Sequence, residues 1–440
     1  MSSMDPARGM EELALLPPLS SMIHLLPKSL IEILEWFDEQ NAHVWIVGGA
    51  NRNALLGTEI KEFDLATTMT PEEMQSYPDT IPTGARFGTI TFRNQGDFYE
   101  ITTLRTESGY NDGRRPDEVE WGDSLLVDLS RRDLTMNSIA VNVLKETYYD
   151  PFKGLEDLQQ RRIRSVGEPT KRLSEDALRI LRSYRFMDQG SAGIWWPERQ
   201  LADALRETKP MLNRIASERI WSEFKRILLG QHASEIVQRM ADDGILKQIF
   251  GIDWLQDDVR IQLLNHIDGD DAIDRLVVLM REFEISDCRD VSAKLKLSSA
   301  EKKEFLFKHS LMGHLPDDYE SSLRVYAVAV GEWCYQHLRI EKLFSERENA
   351  LSYNQFEVQN LLDRILKLKV DFRVQPLANG EYIMQQTNVP HGPKLGKLKS
   401  WLFYEQVSRN LQSIEEIDTL LCTLSWQTED TSRWPKLQFP

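Results

Sequence analysis

The first half of the chain sets short apolar runs between glycine-containing turns, whereas in the second half apolar positions recur every three to four residues. Residues 27–40 follow the helical period and predict an amphipathic helix. Residues 44–47 and 63–67 are short apolar runs and predict strands. Residues 89–93 and 98–104 predict two more, joined through Asn94-Gln95-Gly96-Asp97, a hairpin signal. The stretch before Pro27, with Pro17-Pro18, shows no period and predicts an irregular segment. From Ser130 onward helical patterns dominate, most clearly over 131–142, 154–164 and 174–187, with Val166-Gly167-Glu168-Pro169 separating the last two. The helical period continues to the C-terminus apart from a break near 372–393. These elements predict an α+β chain, a small mixed sheet with helices followed by a long all-α body.

Composition narrows the class. A chain of 440 residues holds roughly two to four domains, and 41% hydrophobic with 28% charged residues is ordinary for a soluble protein. No apolar run is long enough to span a bilayer. The start, MSSMDPARGMEELALL, carries acidic residues where a targeting peptide carries basic ones, so no targeting segment is expected. Three scattered cysteines, Cys288, Cys334 and Cys422, fit free buried thiols in a reducing cytoplasm. The histidines form no ligand-spaced pair, which argues against zinc. A net charge of −16 excludes coating of nucleic acid by bulk charge, but basic residues cluster locally at Arg114-Arg115, Arg131-Arg132, Arg161-Arg162-Arg164 and Lys171-Arg172.

The candidate chemistry lies in four places. In HVWIVGGANRNALLGTEIKEFDLAT, Glu62 and Asp64 flank Phe63 and share a face of an extended segment. An E-x-D triplet is ordinarily a solvated turn, but beside a glycine turn that can approach phosphates it is also a site for Mg²⁺, which prefers carboxylates plus substrate phosphates. Glu100, on the second hairpin strand, is a third carboxylate able to join a site for two Mg²⁺ ions; taken alone it is a strand-face charge. In Arg131-Arg132-Asp133-Leu134-Thr135-Met136-Asn137 the arginine pair suits a triphosphate, and Asp133 or Asn137 a ribose hydroxyl; the plain alternative is a helix start. Asp176 and Arg179, three apart, predict one helical face that Arg182 and Arg185 extend. A carboxylate acceptor beside guanidinium donors complements the edges of cytosine and adenine, and opposes those of uracil and guanine. The plain alternative is a surface ion pair of about 0.2–0.5 kcal/mol.

Together these segments closely resemble the class II tRNA nucleotidyltransferase (CCA-adding) and bacterial poly(A) polymerase family. The matching runs are VGGANRNALLG with KEFDLAT, IPTGARFGTITF, YEITTLR, GYNDGRRPDEVEW, SRRDLTMNSIAVN, DPFKGLEDLQQRRIRSVG and RLSEDALRILRSYRF. Looser likeness continues through RIASERIWSEF, LKLSSAEKKEF and VPHGPKLGKL. The resemblance implies a polymerase-β-like nucleotidyltransferase head, then helical neck, body and tail. The corresponding division is an irregular segment 1–27, head 28–143, base-recognising neck 144–235, body 236–360 and tRNA-binding tail 361–440. It implies Mg²⁺ on Glu62 and Asp64, with Glu100 as third carboxylate. Gly48, Gly49 and Arg52 would meet the triphosphate, with Arg131, Arg132, Asp133 and Asn137 near the phosphates and ribose. Asp176 and Arg179 would read the base of ATP or CTP, supported by Arg182 and Arg185. Asp112, Gly113, Arg114 and Arg115 match a flexible loop tied to A addition, which favours full CCA addition. The implied partner is the tRNA 3′ end, acceptor stem and elbow, rather than DNA or a membrane. Basic patches at Arg161, Arg162, Arg164, Lys394, Lys397 and Lys399 are its candidate contacts.

The chain departs from the family pattern at three points. The family's D-x-D is Glu62-Phe63-Asp64, its V-R-D is Asn51-Arg52-Asn53, and Phe87 stands where histidine is common. A glutamate reaches one methylene further, and a misplacement of ~1 Å can cost on the order of 100-fold in rate. The arginines and the base-reading pair stand, which favours an active enzyme over a non-catalytic RNA-binding relative. A poly(A) polymerase is the alternative within the family; such enzymes often end in a basic extension, whereas this chain ends in SIEEIDTLLCTLSWQTEDTSRWPKLQFP.

Overall fold

A computed structural model describes residues 5–108, 118–254, 258–347, 352–428 and 430–440, and its chain divides into two compact units, residues 1–256 and 257–440.

The first unit opens with β1 (Leu13–Ala14), α1 (Pro17–His24) and α2 (Lys28–Glu39). There follow β2 (Val44–Val47), α3 (Gly49–Leu56), β3 (Asp64–Thr67), α4 (Pro71–Met74), β4 (Thr80–Gly84), β5 (Thr89–Asn94) and β6 (Asp97–Thr103). A side hairpin, β7 (Arg105–Ser108) and β8 (Glu118–Trp121), precedes α5 (Leu125–Ser130), β9 (Ala140–Asn142) and β10 (Thr147–Tyr149). Eight strands form one mixed sheet in the order β1-β10-β9-β2-β3-β6-β5-β4. β2 is buried at every position, which is why its four residues are all apolar. β3 runs parallel to β6 with Asp64 opposite Glu100. Gln95 and Gly96 both have positive φ, the condition for a two-residue turn that matches strand twist. α2 buries Leu30, Ile33, Leu34 and Phe37, and Phe37 and Trp36 meet Phe92 of β5.

Helices complete this unit: α6 (Gly154–Gln159), α7 (Pro169–Glu175), α8 (Leu178–Met187), α9 (Arg199–Thr208), α10 (Ser217–Leu228), α11 (Ala233–Asp242) and α12 (Ile245–Phe250), with the short strands β11 (Arg162–Ile163) and β12 (Trp196–Pro197).

Several expectations are corrected. The stretch before Pro27 is ordered into β1 and α1, because β1 caps the sheet edge and Ala7 is buried beneath it. No continuous helix spans 131–142: a 3₁₀ turn, Thr135–Asn137, leads into β9. The Asp133 carboxylate accepts from the Leu134 amide at 2.8 Å and the Asn137 Nδ2 at 3.1 Å, a local alternative to helix hydrogen bonding. The helix over 154–164 stops at Gln159, and the one over 174–187 breaks at Asp176, which is extended at φ −141°. A head boundary at 143 divides the β9–β10 hairpin, and the boundaries at 235 and 360 fall inside α11 and the helix Gln355–Leu368.

The second unit is helical. Helices Glu320–Val330, Cys334–Ser345 and Gln355–Leu368 share one apolar core, and Gly380–Thr387, Pro393–Arg409 and Ile414–Thr423 share another. Beside the first core, the fully buried Glu341 accepts from Arg281 at 3.0 Å and from the Gly313 amide at 2.7 Å, so its charge is both paired and hydrogen-bonded.

Candidate active site

β2 delivers the chain to Gly48, whose φ of +77° favours glycine. A Cβ there would lie 3.3 Å from Asp64 Oδ2 and 3.4 Å from Arg132 Nη1, so the glycine lets backbone, carboxylate and guanidinium converge. From this point opens a cleft of about 440 Å³. Gly48, Gly49, Arg52, Glu62, Asp64, Arg131, Arg132, Asp133, Asn137, Asp176, Arg179, Arg182 and Arg185 all line it. Glu100 does not line it, although it faces Asp64 in register. Asp112, Gly113, Arg114 and Arg115 lie outside the described residues.

Asp64 lies among both acidic and basic neighbours. Burial, then Glu62 and Glu100, raises the pKa of Asp64 against the opposing pull of Arg132. Among the described residues no group of three or more acidic, histidine or cysteine side chains converges as a metal cage. Glu62 and Asp64 instead form an open pair, which fits a cation that fills its shell with substrate phosphate and water.

Arg131, Arg132 and Arg182, which line the cleft, are braced by carboxylates. Asp128, 1% exposed, joins Arg131 at 2.6 Å and Arg132 at 3.2 Å. Burial works to raise the Asp128 pKa, but the two arginines prevail and hold it below the ordinary range. Arg182 reaches across from α8 to Asp133 at 2.6 Å. Burial again opposes ionisation, and Arg182 with Asn137 overrides it, keeping Asp133 well below the usual carboxylate value. Arg52 donates to Asn137 Oδ1 at 2.7 Å and to Asn53 Oδ1 at 2.8 Å. Asn51 is fully buried, and its Nδ2 donates to the carbonyls of Ile46 at 2.8 Å and Ile139 at 2.9 Å, so the departure from an apolar residue there ties β2 to the segment entering β9.

Asp176 and Arg179 are arranged otherwise than their spacing predicts. Asp176 sits in the α7–α8 break and Arg179 in α8, so they do not share one helical face. The Asp176 carboxylate accepts from Arg219 of α10 at 3.0 Å and from the Leu178 amide at 3.1 Å. Arg179 donates to the carbonyls of Arg131 at 2.8 Å and Arg172 at 3.0 Å, and to Glu175 at 3.1 Å. Both still line the cleft. Arg185 pairs with the buried Glu223 of α10. The ring of Phe186 meets the guanidinium carbons of Arg185, Arg52 and Arg182 at 4.1, 4.9 and 5.4 Å.

Leu178, Phe186, Arg219 and Arg226 also line the cleft and were not singled out from the sequence, nor was Glu223 behind them. The available signal was Arg219 and Glu223 at i,i+4 in RIASERIWSEF, a spacing that puts both on one face. Arg162 and Arg164 both bond the wholly buried Asp157, at 2.5 and 2.7 Å, so they brace the neck as well as carrying charge.

Residues 44–164 match the family described as "Poly A polymerase head domain", and residues 197–251 that described as "Probable RNA and SrmB- binding site of polymerase A". The CCA-adding enzyme of Ligilactobacillus salivarius is 32% identical over 412 residues, covering 89% of this chain and 94% of that protein. That of Leuconostoc citreum is 40% identical over 241 residues, 53% of this chain and 59% of the relative. Among solved structures, the Bacillus stearothermophilus CCA-adding enzyme in complex with CTP superposes with a TM-score of 0.74 at 24% identity, covering 93% of this chain and 98% of the other. A likeness at that identity establishes the shared fold. Sequence identity along almost the whole length of a relative carries the rest: the chain belongs to the family of CCA-adding tRNA nucleotidyltransferases and their poly(A) polymerase kin.

Proposed function

We propose that this protein adds CCA to tRNA 3′ ends from CTP and ATP without a nucleic-acid template. The observation that supports it most directly is one cleft lined together by the carboxylates Glu62 and Asp64, by Arg52, Arg131 and Arg132, and by Asp176 and Arg179. The terminal 3′-hydroxyl attacks the α-phosphorus, the new P–O bond forms as the bond to the β-phosphate oxygen breaks, and pyrophosphate leaves. Glu62 and Asp64 would hold Mg²⁺, two ions in the full site. When bound, this metal neutralises phosphate charge and lowers the pKa of the attacking hydroxyl.

The residues of the chain itself do the positioning. Arg52, Arg131 and Arg132 bind the phosphates, and Asp133, fixed by Arg182, together with Asn137 orients the ribose. Asp176 accepts from the exocyclic amino group of cytosine or adenine, and Arg179 donates to the adjacent ring nitrogen. The RNA rests on basic surface of the neck and of the C-terminal helices, including Lys394, Lys397 and Lys399. Among the described residues no helix is long and apolar enough to cross a membrane.

Incorporation of labelled CTP and ATP on tRNAs ending before CCA, after C and after CC tests this reading. C then A addition that stops at CCA is the expected result. Long ATP tails on any RNA would make the protein a poly(A) polymerase, and RNA binding without incorporation would make it a non-catalytic relative.

A further inference from the structure

Every arginine that lines the cleft, except one, has a carboxylate within 4.0 Å. Asp128 serves Arg131 and Arg132, Glu175 serves Arg179, and Asp133 serves Arg182. Glu223 serves Arg185 and Arg226, and Asp176 serves Arg219. The exception is Arg52. Among the described residues its guanidinium is held by neutral groups: Asn53 Oδ1, from Nη2 at 2.8 Å and Nε at 3.2 Å; Asn137 Oδ1 at 2.7 Å; and the face of Phe186. Two more cations, Arg182 and Arg185, sit against that same ring.

We propose that Asn53 is a positioning residue that fixes Arg52 while leaving it without an internal counter-ion, so that its charge is reserved for the phosphate chain of the incoming nucleotide and of the leaving pyrophosphate. The proposal deepens the transferase reading and rests on it. An amide oxygen orients a guanidinium about as well as a carboxylate oxygen does, but it does not neutralise it. A carboxylate in the same place would form an ion pair that incoming phosphate must displace. The surroundings agree with a cation lacking its anion: burial, then Arg185 and Arg182, pushes the Arg52 pKa down to about 10, with Asp133 the one opposing charge. Asn53 lies at the cleft edge, where its Nδ2 donates to the Glu59 carbonyl at 2.9 Å, so the site for a change is partly exposed.

The experiment compares wild type, Asn53→Asp and Asn53→Ala as full chains. Tripolyphosphate, which carries phosphates and no base, is titrated into each at fixed ionic strength, and KM for CTP and ATP is measured alongside. Asn53→Asp should weaken tripolyphosphate binding and raise both KM values by about tenfold, near the worth of one charge-assisted contact. Asn53→Ala should fall between, because it loosens Arg52 without adding a negative charge. A purely structural role predicts the reverse order, with Asn53→Ala the weaker of the two. Equal affinity in wild type and Asn53→Asp, or no tripolyphosphate binding by wild type, overturns the proposal while CCA addition can still stand. A charge-ordered effect on tripolyphosphate in a protein that incorporates no nucleotide would uphold the clamp and reject the transferase reading.

Discussion

Arg219, near the start of α10, holds the carboxylate of Asp176, 43 positions earlier, by donating Nη1 and Nη2 to its two oxygens at 3.4 and 3.0 Å. The acceptor proposed to read the base is thus aimed in part from a separate helix, while the Leu178 amide holds one of its oxygens from within the α7–α8 segment at 3.1 Å. Arg219→Ala should therefore lower the preference for CTP and ATP over UTP and GTP by about tenfold, the worth of one charge-assisted hydrogen bond. Arg219→Lys should recover part of it. Single-nucleotide incorporation with all four triphosphates measures this, and an unchanged preference would remove Arg219 from base selection.

Glu62 lies in the exposed approach to β3, and Asp64 is the first residue of that strand. Losing the Glu62 charge should remove most of the cation site: Glu62→Gln is expected to lower kcat by at least about 100-fold. Glu62→Asp keeps the negative charge, restores the family spacing and should stay within about tenfold of wild type. Wild-type turnover by Glu62→Gln would show that the residue binds no metal.

Asp157 is fully buried and accepts from Thr135 Oγ1, Arg162 and Arg164. Asp157→Ala leaves two guanidinium groups facing an emptied pocket and should cost about 3 kcal/mol of stability. Thermal or denaturant unfolding of the variant reports it, and a loss under about 0.5 kcal/mol would mean that the arginines simply turn to solvent.

His337 is wholly buried, its Nε2 3.0 Å from the Leu311 carbonyl and its Nδ1 2.8 Å from the Tyr326 hydroxyl. Burial pushes its pKa down from 6.5 to about 4, the nearby Glu341 opposing. Between these values the unfolded chain binds more protons than the folded one, so stability falls as pH drops from 6.5 toward 4 and is unaffected by this group above 6.5. The span is on the order of 3 kcal/mol at about 1.4 kcal/mol per unit. Denaturant unfolding from pH 7 to 4.5 should show that loss, and His337→Gln should flatten it; an equal slope in the variant would assign the loss elsewhere.

On helix Pro393–Arg409, Lys394 lies against Trp426 at 5.9 Å and Lys397 is 3.1 Å from Thr431 Oγ1. Lys399, exposed on the same helix, is the third lysine proposed to contact RNA. Replacing all three by alanine should reduce the slope of log affinity for tRNA against log salt by about 2 to 3. An unchanged slope would show that these lysines only solubilise the helix.

Where an element depends on neighbours in sequence, the chain spells it out. The β5–β6 hairpin follows from a two-residue turn with Gly96, and β2 follows from four apolar residues between His43 and the Gly48-Gly49 turn. The carboxylates, the arginine pair and the α8 arginines were likewise legible as motifs, and all of them but Glu100 line the cleft. The periodicity over 131–142 does not yield a helix because the largely buried side chain of Asp133 takes amide and side-chain donors that a periodicity argument leaves to the backbone. Asp176 and Arg179 were assigned one helical face because their spacing allows it, and the break between α7 and α8 separates them. The pairings Arg219 with Asp176, Arg182 with Asp133, and Arg52 with Asn137 join residues 43 to 85 positions apart. Sequence by itself determined which charges this protein carries and on which local elements. Only tertiary packing decided which charge neutralises which, because ion pairing depends on distance in space, and spacing along a chain sets that distance within an element alone.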